Sequence, residues 1–294
     1  MLDACEVVVV DNSSDDDQFG DFVQKYPGIR FIQSQHNVGF GAGCRLGARH
    51  ALSDYFLFLN PDTVANRESI YSMLEFLKAQ ETYGIVSCRQ HENLAKHRLL
   101  FPNIWRLSGL VKSLEARLSS DRFKIKHWQD LEFLQPDWVS ASVLMISRKN
   151  YEKIGGWSQK LWMYYEDPDL CRRFKNLGGL AALITNRKIL HKHGGSTRLD
   201  LETTALTKTE LATSRHVYIQ EHFQEPARSI SQVILIIGFL LFGGLSALMG
   251  IVFFFIPIMR LQSVIWRRKL QYYVNALKTG SWLSPRLLTR EDDY

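Results

Sequence analysis

The sequence predicts an α/β domain followed by an apolar helical segment, and three observations carry that prediction. Strand-like and helix-like stretches alternate from residue 1 to about 215, as they do when helices cover a sheet. Several strand-like stretches are continuous β-branched or apolar runs closed by Asn, Asp or Pro, the mark of buried strands ending in turns. Residues 230–259, ISQVILIIGFLLFGGLSALMGIVFFFIPIM, contain no charged residue, a run longer than the ~20 residues a spanning helix needs.

Taken in order, EVVVV (6–10) predicts a strand buried on both faces, and DNSSDDD ends it in turn chemistry. IRFIQS predicts a second strand, GARHAL lies in a helical stretch, and YFLFLNPD predicts a third buried strand closed by Pro61. RESIYSMLEFLKAQ places Ile70, Met73, Leu74 and Leu77 on one helical stripe. YGIVSC and WVSASVLMIS predict strands, NYEKIGG a short helix ending on glycine, and LAALITN a further strand. In EDPDLCRRFKNLGG, Leu170, Phe174 and Leu177 form an apolar stripe, Gly178 ends the helix, and Pro168 suits its first position, with Asp167 as N-cap. Domain boundaries follow the composition: residues 1–225 form the α/β domain, and 226–294 the apolar segment with a basic tail.

The 294 residues, 46% hydrophobic and 22% charged, describe a globular chain with ample core. A net charge of +6 does not call for nucleic acid. The basic residues cluster after the apolar run, from Arg260 to Arg290, where they suit an anionic membrane surface about as well as RNA. Lys208, Arg215 and Arg228 precede the run, so a single span would leave one basic flank outside. A re-entrant hairpin or interfacial helix pair, broken at Gly243-Gly244, meets the charge pattern better. The four cysteines are scattered without metal spacing, which fits a reduced compartment. Met1 leads almost at once into a strand, so no secretory leader is expected.

Chemistry concentrates at strand ends, where ligands of open α/β sheets bind. Asp11 and Asn12 follow VVVV, and Asn60 and Asp62 follow YFLFL. A turn role explains either acid alone. Together with Glu166, Asp167 and Asp169 they point to a crevice for a divalent cation, Mg²⁺ or Mn²⁺. NVGFGAGCRLG fails as a dinucleotide fingerprint, because Cys44 stands where the last glycine belongs. It can still bring backbone close to a nucleotide or sugar, with Arg45 near a diphosphate. In ILHKHGGST, His191 or His193 could supply an imidazole beside Asp62.

The order VVVVDNSSDD, NVGFGAG, FLFLNPDT, DWVSASVLMISR, WMYYEDPDLCRRFKNLGG and HKHGGST resembles family-2 glycosyltransferases, most of all their bacterial rhamnosyltransferase branch. The resemblance covers about residues 5–200. It implies the GT-A nucleotide-diphospho-sugar transferase fold, a mixed, mostly parallel sheet flanked by helices, here with a C-terminal membrane-associated segment. It implies inverting transfer, with dTDP-L-rhamnose or a UDP-sugar as donor and a polyprenyl-diphosphate-linked saccharide as acceptor. The place of action it implies is the cytoplasmic face of a bacterial inner membrane, with membrane lipid as a partner and no nucleic acid. Residue by residue, Asn60 and Asp62 match the donor-diphosphate motif, with Asp62 and His191 at the metal. Asp11, Asn12, Asn37, Gly39 and Arg45 match the nucleotide-sugar side, Asp167 the general base with Glu166 beside it, and Asp137 and Trp138 the acceptor side. A UDP-sugar-dependent hexosyl- or galactofuranosyltransferase and a non-catalytic scaffold of a polysaccharide assembly complex are the alternatives.

Departures from the family pattern stand at Arg45, Ala141 and Trp157-Ser158-Gln159, where relatives carry Asn, Gly and Phe-Asp-Glu. Relatives also place a strand and helix before EVVVV, so the resemblance predicts a shortened sheet with an unpaired edge and a chain of reduced activity or stability.

Overall fold

A computed structural model describes residues 5–13, 19–90, 100–103, 107, 128–192 and 201–288. His193 and Arg290, noted in the sequence, lie outside the described residues. The chain divides into two compact units. The first comprises residues 1–101, 124–159 and 166–193, the second 102–123, 160–165 and 194–294.

In the first unit, β1 (Val8–Asp11) pairs in parallel with β2 (Arg30–Gln33), and α1 (Phe19–Lys25) and α2 (Phe40–His50) follow them in the α/β order. Strands β3 (Tyr55–Leu59), β5 (Tyr83–Arg89), β6 (Phe133–Leu134), β7 (Val143–Ser147) and β8 (Leu180–Lys188) form one sheet in the order β3-β7-β5-β8-β6. A small antiparallel pair, β4 (Thr63–Val64) with β9 (Leu190–His191), sits at the ends of its neighbours. The sheet is mixed, but its antiparallel pairs outnumber the parallel one, β5 with β8. Strand β7 inserts between β3 and β5 and runs against both, a topology that hydrophobic runs alone do not encode.

Alternation along the strands builds two cores, one on each face. Phe56, Phe58, Leu144, Ile146, Ala181 and Leu183 face the layer of α2, α4 (Arg148–Lys153) and α5 (Glu166–Asn176). Val143, Met145, Ala182 and Ile184 face α3 (Arg67–Ala79), whose Met73 and Leu77 are buried as the helical stripe requires. Asn66 caps α3 by accepting the Ser69 N–H at 2.8 Å, and Ser147 caps α4 by accepting that of Asn150 at 3.2 Å.

Phe174 seats α5 on the sheet. A Cβ on Gly84 or on Gly179 would lie 2.2 Å from its ring, so both glycines are the floor of its slot. Gly178, at φ 86°, ends the helix in the left-handed region.

Four sequence expectations are corrected. Strand β1 is half-buried, with Val9 38% exposed, because among the described residues it pairs with β2 alone. WVSASVLMIS is a strand only from Val143; the hydroxyls of Ser140 and Ser142 bond each other at 2.8 Å and hold a local turn instead. Helix α5 begins at Glu166, so Asp167 lies in its first turn rather than at its cap, and Pro168 follows within that turn. Leu177 stands outside the helix and is 49% exposed.

The second unit is helical. It contains α6 (Leu201–His222), α7 (Ala227–Gly238), a π-helical turn at Phe239–Gly243, α8 (Gly244–Val252), α9 (Pro257–Thr279) and α10 (Pro285–Leu288). The apolar run does not break at Gly243-Gly244: the helix continues from Ala227 to Val252, its mean hydropathy reaching 2.4. It absorbs the glycines as a π-bulge, and the chain turns at Phe253–Ile256 instead. Pro257, at the first position of α9, fixes the restart. α9 then packs against α8, and Gly250 sets the closeness, since a Cβ there would stand 2.3 Å from the Met259 carbonyl oxygen.

Candidate active site

The polar residues of the first unit gather through backbone register and short side-chain bonds. Asp62 lies in the turn between β3 and β4, and the pairing of β4 with β9 sets Thr63 opposite His191. That register brings His191 Nε2 to 2.9 Å from Asp62 Oδ1, with both side chains largely buried. The Lys192 N–H donates to the Asp62 carbonyl at 2.9 Å and locks the same arrangement. Asn60 donates its N–H to the Ser142 carbonyl at 3.0 Å, while its own Oδ1 is buried without a partner among the described residues.

The turn at 140–142 carries the geometry toward the acidic helix. Ser142 Oγ bonds Ser140 Oγ at 2.8 Å and donates to Gln90 Oε1 at 2.5 Å. The Ser140 hydroxyl and Ala141 N–H both bond the Asp167 carboxylate. Burial raises the Asp167 carboxyl to about 6, against the lowering pull of those bonds. Glu166, 7% exposed, is raised well above the usual carboxylate range by burial and then by Asp167, and its Oε2 has no partner among the described residues. Two adjacent carboxyls in one dry site do not both ionise readily. Asp169 is engaged within its own helix: Arg173 donates to its Oδ2 through Nε at 3.0 Å and Nη2 at 2.7 Å.

α2 links the acids to the end of β1. The Cys44 thiol is pushed up by burial and then by the Glu166 and Asp167 charges. One turn earlier, Asn12 holds the loop that opens α2, accepting the Val38 N–H at 2.8 Å and donating to the Gly39 carbonyl at 3.0 Å. Asn37 Oδ1 accepts the Gly39 N–H at 3.0 Å. Gly39 has φ 85°, a conformation that side chains rarely adopt. Asp11 makes a turn through Ser13, whose N–H and hydroxyl donate to Oδ1 at 2.9 and 2.6 Å. Its Oδ2 is buried and unpartnered among the described residues.

Arg45, Asp137 and Trp138 have structural partners. Arg45 Nη1 donates to the carbonyls of Gly155 and Trp157 at 3.1 and 3.0 Å. Asp137 accepts the Phe101 N–H at 3.0 Å and Lys175 Nζ at 2.7 Å, and Trp138 Nε1 donates to the Leu100 carbonyl at 3.0 Å. These three therefore shape the loops at 100–101 and 155–157.

With this geometry in hand, comparison places the chain. The family model "Glycosyl transferase family 2" matches residues 2–128. Those residues carry a family-2 glycosyltransferase domain. Relatives along the sequence include N-acetylglucosaminyl-diphospho-decaprenol L-rhamnosyltransferase of Mycobacterium tuberculosis, 24% identical over 66% of this chain and 68% of its own. Rhamnosyltransferase WbbL of Escherichia coli is 24% identical over 58% of this chain and 67% of its own. The low-salt glycan biosynthesis hexosyltransferase Agl10 of Haloferax volcanii is 29% identical over 57% and 52%. Among solved structures, the mannosyltransferase PcManGT from Pyrobaculum calidifontis, in complex with GDP-Man and Mn²⁺, aligns at a TM-score of 0.50 and 14% identity. It covers 92% of this chain and 79% of its own. The glycosyltransferase therefore has the GT-A fold, a mixed sheet flanked by helices, with one apolar C-terminal helix long enough to cross a membrane.

Sequence reasoning missed three features of this glycosyltransferase's site. Ser140 and Ala141 bond Asp167, Gln90 anchors that turn, and Cys44 feels the charge of both acids. The small-residue string Ser140-Ala141-Ser142 was the available signal, since a close backbone approach needs small side chains. A fourth feature precedes Glu166: Tyr164 and Tyr165 have φ values of 71° and 67°, two bulky residues in the left-handed region where strain collects at functional sites.

Proposed function

We propose that this glycosyltransferase moves a sugar, L-rhamnose from dTDP-L-rhamnose, to a lipid-linked saccharide with inversion at the anomeric carbon. The observation that carries the proposal is Asp167, a carboxyl raised to about 6 by burial and aimed by Ser140 and Ala141. A base of that strength is ionised at neutral pH yet basic enough to take a hydroxyl proton. As the acceptor oxygen bonds the sugar's C1, the bond from C1 to the nucleotide diphosphate breaks, and the acceptor proton passes to Asp167. Glu166, raised well above the usual carboxylate range by burial, stands beside it on the acceptor side. Asn12, Asn37 and Gly39 shape the nucleotide side, where the unpartnered oxygens of Asp11 and Asn60 are acceptors for sugar or ribose hydroxyls.

A divalent cation fits the donor set at the β4–β9 turn. Asp62 and His191 offer a carboxylate oxygen and an imidazole nitrogen on facing side chains, a combination suited to Mn²⁺ or Mg²⁺. Among the described residues no group of three such ligands exists, so substrate oxygens or water would complete the shell. When bound, the cation would neutralise charge on the departing diphosphate. That PcManGT was solved with GDP-Man and Mn²⁺ supports this.

The rhamnosyltransferase relatives, one of them named for a decaprenol-diphosphate substrate, support the rhamnose donor and a polyprenyl-diphosphate-linked acceptor. The hexosyltransferase relative, at 29% identity, favours a second reading as a hexosyltransferase, for which a UDP-sugar is the donor to test. Incubation with labelled dTDP-rhamnose or UDP-sugars and a bacterial lipid extract decides between them. Label moves into the lipid phase from dTDP-rhamnose alone on the first reading. Asp167→Asn lowers that transfer about 10³-fold; undiminished transfer removes Asp167 from the mechanism, and no transfer from any donor removes the enzymatic reading.

A further inference from the structure

The second unit holds a partly open cavity of about 450 Å³ whose wall has two characters. Leu235, Phe239, Phe242 and Ile265 make one side apolar, while Arg215 and Lys269 bring two cations to the same space. Neither cation has an acidic partner among the described residues. Arg215 Nε donates to the Tyr165 hydroxyl at 3.2 Å. The acids on the neighbouring helix are engaged elsewhere, Glu202 with Arg268 and Glu210 with Arg286. His216, also in the wall, supplies no negative charge. Burial holds it neutral, at about 4, with its ring between Gln232 and the Tyr273 hydroxyl, the latter at 2.9 Å.

The positive charge here is therefore in excess. Burial first, then Arg215 and Lys208, press the Lys269 ammonium down to about 8. Clustered, desolvated cations without a counter-ion are unfavourable, and an anion with several oxygens relieves them. A neutral donor adds to the set: the Trp266 indole N–H is buried with no acceptor among the described residues. The ring itself stacks on Phe239 at 5.8 Å, with Gly243 leaving room beside it.

The apolar side of the cavity is continuous with surface. Phe242 lines the cavity and is itself 67% exposed, and Leu241 and Leu245 beside it in the helix are 64% and 62% exposed. A ligand with an anionic head in the cavity can lay an apolar chain along that helix.

We propose that this cavity binds the phosphate head of a membrane lipid, with Arg215 and Lys269 on the phosphate oxygens and the chain leaving past Phe242. The site uses none of the sugar-transfer residues and does not rest on the transfer reading. Two sources share this chemistry, a bilayer phospholipid and a polyprenyl phosphate, and the experiment separates them. The full chain in a non-ionic detergent is titrated with farnesyl phosphate, dioctanoylphosphatidylglycerol, inorganic phosphate and farnesol, following tryptophan fluorescence and thermal midpoint. At least one lipid phosphate should bind about ten-fold or more tighter than inorganic phosphate and farnesol, and whichever of the two does so identifies the source. Lys269→Met should weaken that binding about ten-fold or more, as loss of a charge-assisted bond implies. It removes a half-buried cation without an acidic partner among the described residues, so the fold is retained, and a melting curve checks this. Trp266→Phe keeps the ring and should weaken binding about three-fold through the lost donor. Lys278→Met, on the same helix but away from the cavity wall, should leave affinity unchanged. Lipid phosphates no tighter than inorganic phosphate or farnesol, or unchanged affinity in Lys269→Met, would overturn the proposal. No readout involves sugar transfer, so failure of the catalytic reading and failure of this one remain distinguishable.

Discussion

Asp167 combines a catalytic assignment with a cost in stability. Its carboxyl titrates near 3.8 when unfolded and at about 6 in the fold, so the folded state holds the proton more tightly. The sign follows: the group favours folding most below pH 4, loses that contribution between pH 4 and 6, and above pH 6 imposes a constant penalty. The penalty is on the order of 2 kcal/mol, since each tenfold difference in proton affinity between the two states is about 1.4 kcal/mol and partial exposure reduces the total. Asp167→Asn keeps an oxygen for Ser140 and Ala141 but carries no charge. Its thermal midpoint should therefore rise relative to the parent between pH 4 and 6 and stay higher by several degrees above that. Transfer should show the complementary profile in the parent enzyme, rising about ten-fold per pH unit up to about pH 6 and then levelling. A midpoint difference independent of pH would remove the raised carboxyl. At Asp62 and His191, the expectation concerns metal. Mn²⁺ added with a nucleoside diphosphate should raise the parent's melting midpoint, and His191→Ala should lose most of that rise; an equal rise in both would place the metal elsewhere. The acids themselves were legible because they sit at strand ends and in a helix's first turn, where residue type and position together mean something. The bonds that tune Asp167 come from Ser140 and Ala141, distant in sequence, and nothing in a single chain's pattern announces that contact.

Single elements are held by close backbone approaches that the sequence shows only as glycines. Helix α5, which carries both acids, stands on Phe174, and Phe174 fits because Gly84 and Gly179 have no Cβ. Gly84→Ala should destabilise the first unit by about 1–3 kcal/mol, since the ring cannot move without lifting α5. It should also lower transfer more than it lowers substrate affinity, because Asp167 shifts with the helix. A melting curve and initial rates check both, and an unchanged midpoint would show that the slot has slack. Apolar patterning had already revealed the elements themselves: the strand-like runs of β3 and β7 and the helical stripe of α3 read directly from the residues. Strand direction did not, because β7 arrives after a long connection and pairs antiparallel with both neighbours. The apolar run misled for a different reason. Gly243-Gly244 resembles a breaker by propensity, yet the helix passes through as a π-turn and reverses only at Phe253–Ile256.

For the molecule as a whole, the exposed apolar surface of α7 and α8 is the feature most at odds with water. Leu241, Ile251, Phe254 and Phe255 are 64–69% exposed, and only 11% of the apolar window is buried. Helices packed in an aqueous core hide such residues, whereas helices against lipid do not. The basic residues of α9, Arg260, Arg267 and Arg268 among them, add attraction to anionic lipid. The two contributions separate by salt, because only charge is screened. The chain should float with phosphatidylglycerol-containing vesicles and remain bound in 1 M salt, where the Debye length is about 3 Å. Joint replacement of Leu241 and Ile251 by Asp should abolish salt-resistant binding, since each would place a charge against hydrocarbon at a cost of about 3 kcal/mol. Replacing Arg267 and Arg268 by Gln should weaken binding at low salt and leave the residual bound fraction in 1 M salt unchanged. Release of the parent chain by salt alone would mean that charge, not the apolar helix, holds it at the membrane.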